Sequence, residues 1–263
     1  MERLRSRLEE LRKRGRAGLI VYLMAGDPDL DTTFELLLQL QDLGVDAVEL
    51  GVPFSDPIAD GPVIQRAAER ALASGTNLLA VLELVSRFRG RADLPVVLFT
   101  YVNPVLRLGL DRFPGLAVSA GADAALLLDL PPEEADGYAE ASREAGLETV
   151  FLVAPTSTEE RVRRAAALAT GFVYCVSRIG VTGERERLPE GLEGMLARVR
   201  RNTDLPVAVG FGISRRGHVR QASRLADAVV VGSAVVRRIS ESHRSELPQR
   251  LASLIANLRA GLE

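Results

Sequence analysis

Eight short aliphatic runs recur along this chain of 263 residues, each separated from the next by a charged stretch. The runs cover residues 19–25, 46–51, 96–101, 124–130, 149–154, 172–177, 207–210 and 228–232. Helical periodicity is predicted over residues 2–12, 32–43, 63–73, 78–88, 133–145, 159–168, 192–200 and 246–262. Eight nearly continuous apolar strands that alternate with helices predict a closed (β/α)₈ TIM barrel rather than an open doubly wound sheet.

Composition excludes several classes of protein. Apolar residues make up 47% of the chain, and no Pro/Ser-rich or low-complexity linker divides it, so a single domain over 1–263 is expected. The net charge is −2 and arginines alternate with acids, which argues against a nucleic-acid partner. No apolar run approaches the roughly 20 residues that cross a bilayer, and the N-terminus lacks a signal-peptide core. We therefore expect a cytoplasmic protein without membrane contact.

Cysteine and histidine are scarce. Cys175 is the only cysteine, and His218 and His243 are the only histidines. An intramolecular disulfide is excluded, and no metal site is expected. Cys175 is predicted to lie in the core beneath the helices, His218 on a surface helix, and His243 in a solvated or capping position.

An acidic residue ends the second aliphatic run. Period-two alternation predicts that Glu49 shares a face with Val45 and Ala47, inside the barrel. Burial would raise the pKa of this carboxyl, which suits a group that both donates and accepts protons. An isolated acid at a strand end could instead pair with an arginine or cap a helix. The inward position favours a catalytic role.

Two long polar loops follow strands, which places them on the catalytic face of a barrel. Loop 52–61 contains Asp56 and Asp60 between closely spaced prolines, and loop 177–191 is rich in Gly, Arg and Glu. Asp60 begins an Asp-Gly-Pro sequence, so helix capping is an alternative to catalysis for this residue. Loops of this length on this face are candidates for lids.

Glycine-bearing turns follow the last three strands, over residues 178–183, 210–214 and 232–234. Glycine lets the backbone approach a ligand closely, and amides at a helix start favour an anion. Any one of these glycines could simply form a tight turn. Their joint position predicts a phosphate site, and the absence of a P-loop lysine or a dinucleotide fingerprint favours a phosphorylated small molecule.

Two further side chains are predicted near these strand ends. Tyr174 shares a face with Phe172 and Val176, so it is either core or a hydrogen-bond partner of Glu49. Asp129 is predicted to end the fourth strand, where it could orient site groups or cap the next helix.

Together the motifs resemble the tryptophan synthase alpha chain family. They are residues 25–28 (AGDP), 49–65 (ELGVPFSDPIADGPVIQ), 103–104 (NP), 129–131 (DLP), 153–156 (VAPT), 174–183 (YCVSRIGVTG), 210–214 (GFGIS) and 231–234 (VGSA). The resemblance runs in order through almost the whole chain. It is specific, because two long loop motifs match.

The resemblance implies a TIM barrel that cleaves indole-3-glycerol phosphate to indole and glyceraldehyde 3-phosphate by a retro-aldol reaction without a cofactor. Glu49 matches the family's general acid/base, Asp60 the acid that binds the indole N–H, and Tyr174 the tyrosine beside them. Tyr22 would line the indole pocket, where the family more often has phenylalanine. The remaining matches divide into phosphate-binding residues (Gly183, Gly212, Gly232 and Ser233), a closing-loop residue that contacts Asp60 (Thr182) and supporting residues (Asp129 and Arg178).

The resemblance also implies a partner. A beta chain that carries pyridoxal phosphate would receive indole through a tunnel in an α₂β₂ complex. Its docking surface would include Asp56, Asn103 and Pro104. Val102 stands beside this surface where the family commonly has tyrosine, and Met24 stands in the pocket where threonine is more usual.

Two other functions stay open from the residues. One is another phosphosugar barrel, such as an isomerase of the same pathway, which would share the phosphate turns without the Glu49 and Asp60 pair. The other is an alpha-like subunit with little activity that binds and activates a beta partner.

Overall fold

Eight parallel strands close into a barrel in a computed structural model, which describes residues 3–176, 191–210 and 212–263. Each strand pairs with the next along the chain, and the last pairs with the first. The strands are β1 (Gly18–Met24), β2 (Ala47–Gly51), β3 (Val96–Thr100), β4 (Ala124–Leu127), β5 (Glu148–Val153), β6 (Phe172–Val176), β7 (Val207–Gly210) and β8 (Ala228–Val231). The predicted (β/α)₈ barrel is confirmed.

Helices surround the barrel. They are α1 (Arg3–Lys13), α2 (Leu30–Asp42), α3 (Pro62–Ala73), α4 (Leu78–Arg89), α5 (Val102–Leu106), α6 (Phe113–Ala120), α7 (Asp136–Ala145), α8 (Glu159–Leu168), α9 (Leu192–Arg200), α10 (Arg216–Ser223), α11 (Ser233–Ser240) and α12 (Leu247–Arg259). The helix predicted over 133–145 is instead a 3₁₀ turn, Pro132–Glu134, followed by α7. Helices α5, α6 and α11 match none of the predicted segments, and α10 corresponds only to the helix expected around His218, because 5 to 8 residues carry too few turns for a clear pattern.

Alternate residues of each strand face opposite sides of the barrel wall. In β1, Ile20, Tyr22 and Met24 pack inside the barrel, whereas Leu19 and Val21 pack outward with the helices. Both sides are buried, which explains why the strands read as continuous apolar runs. No helix among the described residues is long and apolar enough to cross a membrane.

Helix α1 closes the end of the barrel at which the strands begin. Leu4 and Leu8 are fully buried in the same cluster as the inward strand residues. Arg3 binds Asp123, before β4, at 2.8 Å, and Arg7 binds Asp46, before β2, at 2.8 Å. The N-terminal helix is therefore part of the barrel core rather than an appendage.

Three buried aspartates at this end, Asp46, Asp123 and Asp227, fasten neighbouring strands together. Each precedes an even-numbered strand and accepts a backbone N–H of the preceding strand at 2.8 Å. The donors are the amides of Leu19, Val96 and Val207, respectively. These carboxylates have structural partners, so the candidates for chemistry lie at the opposite, carboxyl ends of the strands.

Candidate active site

Glu49 lies inside the barrel near the carboxyl end of β2. It stands between Ala47, which belongs to the inner cluster, and Gly51, and only 1% of its surface is exposed. Val45, predicted to share its face, precedes the strand and packs on the outer side, so that part of the prediction is wrong. The Oε1 atom has no hydrogen-bond partner among the described residues, and burial raises the pKa of Glu49 to about 8.

Asp60 is the second buried acid of this region, on the loop between β2 and α3. The Tyr101 hydroxyl donates to its Oδ2 at 3.1 Å and accepts the Ala59 N–H at 3.0 Å. Burial raises the pKa of Asp60 to about 6, and the hydrogen bond from Tyr101 opposes that rise. At pH 7, Glu49 is therefore mostly protonated, and Asp60 is mostly ionised.

Tyr101 is a residue of this site that the sequence prediction missed. It follows β3 in phase with the inward residues Val97 and Phe99, so period-two counting could have indicated its direction. Its contact with Asp60 depends on how loop 52–61 folds back, which strand periodicity does not report. Burial, followed by the charge of Asp60, raises the pKa of Tyr101, so the phenol stays a hydrogen-bond donor.

Two more tyrosines extend across the barrel interior beside Glu49. Tyr22 stands opposite Glu49 in the β1–β2 register, and its ring packs edge-on against Phe99 with centroids 5.0 Å apart. Burial, then the charges of Asp60 and Glu49, raises the pKa of Tyr22. Tyr174 on β6 is likewise inward and buried, with its pKa raised by burial and then by Glu49. Both phenols stay protonated next to the acids.

Glycine makes room for both tyrosines. A Cβ atom at Gly51 would lie 2.2 Å from the Tyr22 hydroxyl, and one at Gly210 would lie 2.1 Å from the Tyr174 hydroxyl. Any side chain at either strand end would displace a ring. Cys175, next to Tyr174, faces the outer cluster and is fully buried, as predicted, and burial raises the pKa of its thiol to about 12.

The predicted phosphate turns lie at the ends of β7 and β8. Gly212 has φ +82°, a left-handed conformation that favours glycine. Gly232 precedes α11, and Ser233 is the exposed first residue of that helix. An added Cβ at Gly232 would contact the Tyr22 Cβ at 3.3 Å, so this turn adjoins the tyrosine next to Glu49. Arg178, Thr182 and Gly183 lie outside the described residues.

His218 makes a hydrogen bond to the turn after β7. It was expected on a surface helix, but it is 3% exposed because it lies on the inner face of α10 with Val219 and Ala222. Its Nδ1 accepts the Ser214 backbone N–H at 3.4 Å. His243 is exposed, as expected.

The predicted docking residues share one surface next to the Asp60 loop. Asp56 and Asn103 are exposed and Pro104 is half-buried. A cavity of about 450 Å³ lies between the loop and α5, lined by Phe54, Ser55, Asp56, Asn103, Leu106 and Arg107. Ile58, on the same loop, is 84% exposed. Leu106 in the cavity wall is 53% exposed, so apolar side chains face solvent on both the loop and α5, as they do in interaction surfaces.

Asp129 differs from its prediction. The fourth strand ends at Leu127, so Asp129 lies two residues beyond the strand instead of at its end, and its side chain is exposed. Its carboxylate accepts the Val102 backbone N–H at 2.7 Å, so it caps α5 rather than the helix that follows it. Asp129 therefore holds the helix that carries Asn103 and Pro104.

Comparison with known proteins agrees with this geometry. The family model described as "Tryptophan synthase alpha chain" matches residues 8–262. The tryptophan synthase alpha chain of Solibacter usitatus is 51% identical over 262 residues, which is 99% of this chain and 98% of the relative. The chain belongs to the tryptophan synthase alpha chain family. The alpha chain of Geotalea uraniireducens is also similar, at 45% identity over the whole of this chain and 98% of its own.

Solved structures place this alpha chain in the same fold. The alpha subunit from Legionella pneumophila superposes with a TM-score of 0.91 at 38% identity, covering all of this chain and 98% of that one. A chain of the Pyrococcus furiosus tryptophan synthase α₂β₂ complex superposes with a TM-score of 0.87 at 43% identity, covering 93% of this alpha chain and 98% of that one.

Proposed function

We propose that Glu49 and Asp60 carry out the alpha reaction of tryptophan synthase in this chain. As a member of its family, the chain cleaves indole-3-glycerol phosphate to indole and glyceraldehyde 3-phosphate and passes indole to a beta chain. One observation carries the assignment of residues. Two buried acids, Glu49 near the end of β2 and Asp60 on the loop that follows it, differ in pKa, about 8 against about 6, so that one is an acid and the other an anion at neutral pH.

The chemistry needs both protonation states. Breaking the bond between indole C3 and the glycerol chain begins when a proton is added to C3, which ends aromaticity and places positive charge on the ring nitrogen. Glu49 supplies this proton, and the Asp60 carboxylate accepts a hydrogen bond from the ring N–H and stabilises its charge. Glu49, now ionised, removes the proton of the adjacent hydroxyl, which becomes the aldehyde. The electrons of the broken bond return to the ring, so atoms and charge balance.

The tyrosines prepare this reaction. Tyr101 holds the Asp60 carboxylate and keeps its pKa below the value that burial alone would produce. Tyr22 and Phe99 form an edge-to-face aromatic pair beside Glu49, a suitable wall for an indole ring. Tyr174 occupies the other side of the barrel interior, and its buried phenol is a third candidate for contact with the substrate.

The phosphate group would bind at the turns after the last strands. The left-handed Gly212 turn and the start of α11 at Gly232 and Ser233 support this assignment, since backbone amides at a helix start favour an anion. Three roles remain predictions: Gly183 in phosphate binding, Thr182 as a closing-loop contact of Asp60, and Arg178 as a supporting residue.

The surface around Asp56, Asn103 and Pro104 is proposed as the docking site for the beta chain. Its exposed Ile58 and its mixed-charge cavity support this role. We further propose that the alpha reaction uses no cofactor and that pyridoxal phosphate belongs to the beta chain alone. We also propose that the chain forms a single domain and is cytoplasmic.

Indole release tests the assignment. The purified chain is incubated with indole-3-glycerol phosphate, with and without a beta chain, and indole is measured. Glu49→Gln and Asp60→Asn are each expected to lower kcat by at least about 10²-fold while circular dichroism stays unchanged. Glu83→Gln, at an exposed position of α4, serves as the control and should keep parental activity. Parental turnover in either site variant would refute that residue's role.

The same assay separates the alternatives. Consumption of the substrate without indole would indicate another phosphosugar reaction. Absence of turnover in the isolated chain and in the complex, together with activation of the beta chain, would indicate a binding subunit.

A further inference from the structure

Gln65 turns back from α3 onto the loop that carries Asp60. It is the fourth residue of the helix, and its Nε2 atom donates to the backbone carbonyl of Asp60 at 2.9 Å and, more weakly, to that of Pro57 at 3.4 Å. A carboxamide nitrogen carries two protons, so both bonds form at once. The side chain therefore connects both ends of the segment 57–60.

This segment has few other anchors. Ile58 N donates to the carbonyl of Asp56 at 2.9 Å and Asp60 N to that of Pro57 at 3.1 Å, and Ala59 N donates to the Tyr101 hydroxyl at 3.0 Å. Gly61, which precedes α3, provides no side-chain cap for the helix. Gln65 is thus the described side chain that holds the main chain of Asp60, whereas Tyr101 holds its carboxylate.

We propose that Gln65 is a positioning residue for Asp60. By fixing the Asp60 carbonyl, it sets where the carboxylate stands relative to Tyr101 and to the indole N–H. This inference rests on the proposed function of Asp60. Pro57 lies between the docking residue Asp56 and the exposed Ile58, so the same side chain ties the docking surface to the catalytic acid.

The expected size of the effect follows from catalytic geometry. A displacement of about 1 Å at a reacting group costs on the order of 10²-fold in rate. Without Gln65, the loop keeps its other hydrogen bonds, so we expect a loss in kcat of about tenfold or more. The proposed phosphate turns follow β7 and β8 and do not include this loop, so KM should change by less than about threefold.

The test compares two glutamine-to-methionine variants. Gln65→Met keeps the length of the side chain and removes its donor. Gln39→Met is the matched control, because Gln39 also donates Nε2 to a proline carbonyl, that of Pro248 at 2.6 Å, on the outside of the barrel. Steady-state indole release gives kcat and KM across pH, and circular dichroism reports the fold. If Gln65→Met does not fold, Gln65→Leu, which is also uncharged and lacks the amide donor, replaces it.

A positioning role also predicts a change that lost stability would not produce. If Asp60 moves away from Tyr101, it loses the hydrogen bond that lowers its pKa, so the acidic limb of the kcat profile shifts to higher pH. The proposal is supported by a lower kcat with a shifted limb in the Gln65 variant but not in Gln39→Met. It is overturned if both variants match the parent, or if kcat falls without any shift of the limb.

Failure of this inference is distinct from failure of the proposed function. A parent protein that releases no indole refutes the function itself. A parent that releases indole and loses this activity in Asp60→Asn, together with an unaffected Gln65→Met, refutes the role of Gln65 alone.

Discussion

Replacing Glu49 with glutamine should make the protein more stable while it removes activity. Burial keeps the proton on Glu49 in the folded state up to a pKa of about 8, against 4.5 for the ordinary group. Between these values the unfolded chain binds fewer protons than the native state. The free energy of unfolding of the parent therefore falls as pH rises through this window, whereas the neutral amide has no such dependence.

The magnitude follows from the two pKa values. At pH 7 the ionisation of Glu49 in the unfolded chain lowers the free energy of unfolding by about 3 kcal/mol. The reason is that each pH unit between the unfolded pKa of 4.5 and pH 7 contributes about 1.4 kcal/mol. At pH 4 the contribution is close to zero. Because Glu49 is only 1% exposed, solvent screening does not reduce this difference much. Glu49→Gln should thus raise the melting temperature by roughly 6–12 °C at pH 7.

Urea unfolding followed by circular dichroism at pH 4, 5.5 and 7 provides the measurement. The gain in the free energy of unfolding of Glu49→Gln over the parent should grow with pH. Glu83→Gln, at an exposed position, should differ from the parent by less than about 0.5 kcal/mol throughout. A stability difference that does not change with pH, or a parent that is more stable than Glu49→Gln at pH 7, would refute the view that burial holds this carboxyl protonated.

Three further changes probe other contacts. Tyr101→Phe removes the bond that lowers the pKa of Asp60, so the acidic limb of the activity profile should move to higher pH; an unmoved limb in steady-state assays would contradict this. Asp123→Ala leaves two arginines and a strand N–H without their buried carboxylate. The free energy of unfolding in urea should fall by about 3–5 kcal/mol, and a fall below 1 kcal/mol would argue against this structural role of Asp123. Gly210→Ala puts a Cβ 2.1 Å from the hydroxyl of the β6 tyrosine and should lower kcat by displacing its ring. Gly194→Ala adds a Cβ in open space and should keep the parental kcat. Equal kcat values in the two variants would count against displacement of the tyrosine.

The barrel could be predicted because its strands are buried on both faces. Such strands appear in a sequence as uninterrupted aliphatic runs, and eight of them with helices between leave few other architectures. The ends of elements were less accurate. Strand β4 ends at Leu127, three residues before the predicted boundary at residue 130, and Asp129 caps α5 and lies on the surface. The local sequence pattern does not predict which backbone N–H a carboxylate accepts when the donor is distant in the chain.

Some features of the site could likewise be predicted from the sequence, and others could not. The inward direction of Glu49 follows from alternation along a strand, and the protonated state of its carboxyl follows from burial. The identities of the acids and the glycine turns were also visible in the chain. Their partners were not: Tyr101 meets Asp60, and Gln65 meets the Asp60 carbonyl, across loops with no periodicity.

Amino-acid order alone was therefore enough to predict the architecture and the family and to single out Glu49 and Asp60 as candidates, since each depends on residue types at short, regular spacing. Folding in three dimensions was needed to set their protonation states and their supports. A pKa depends on how much water the surrounding elements exclude, and a hydrogen bond depends on distances between segments that are far apart in the chain. The contact between His218 and the Ser214 amide is a further example. The sequence of α10 is amphipathic and so predicts a helix with one buried and one exposed face, but only the structure shows that His218 lies on the buried face.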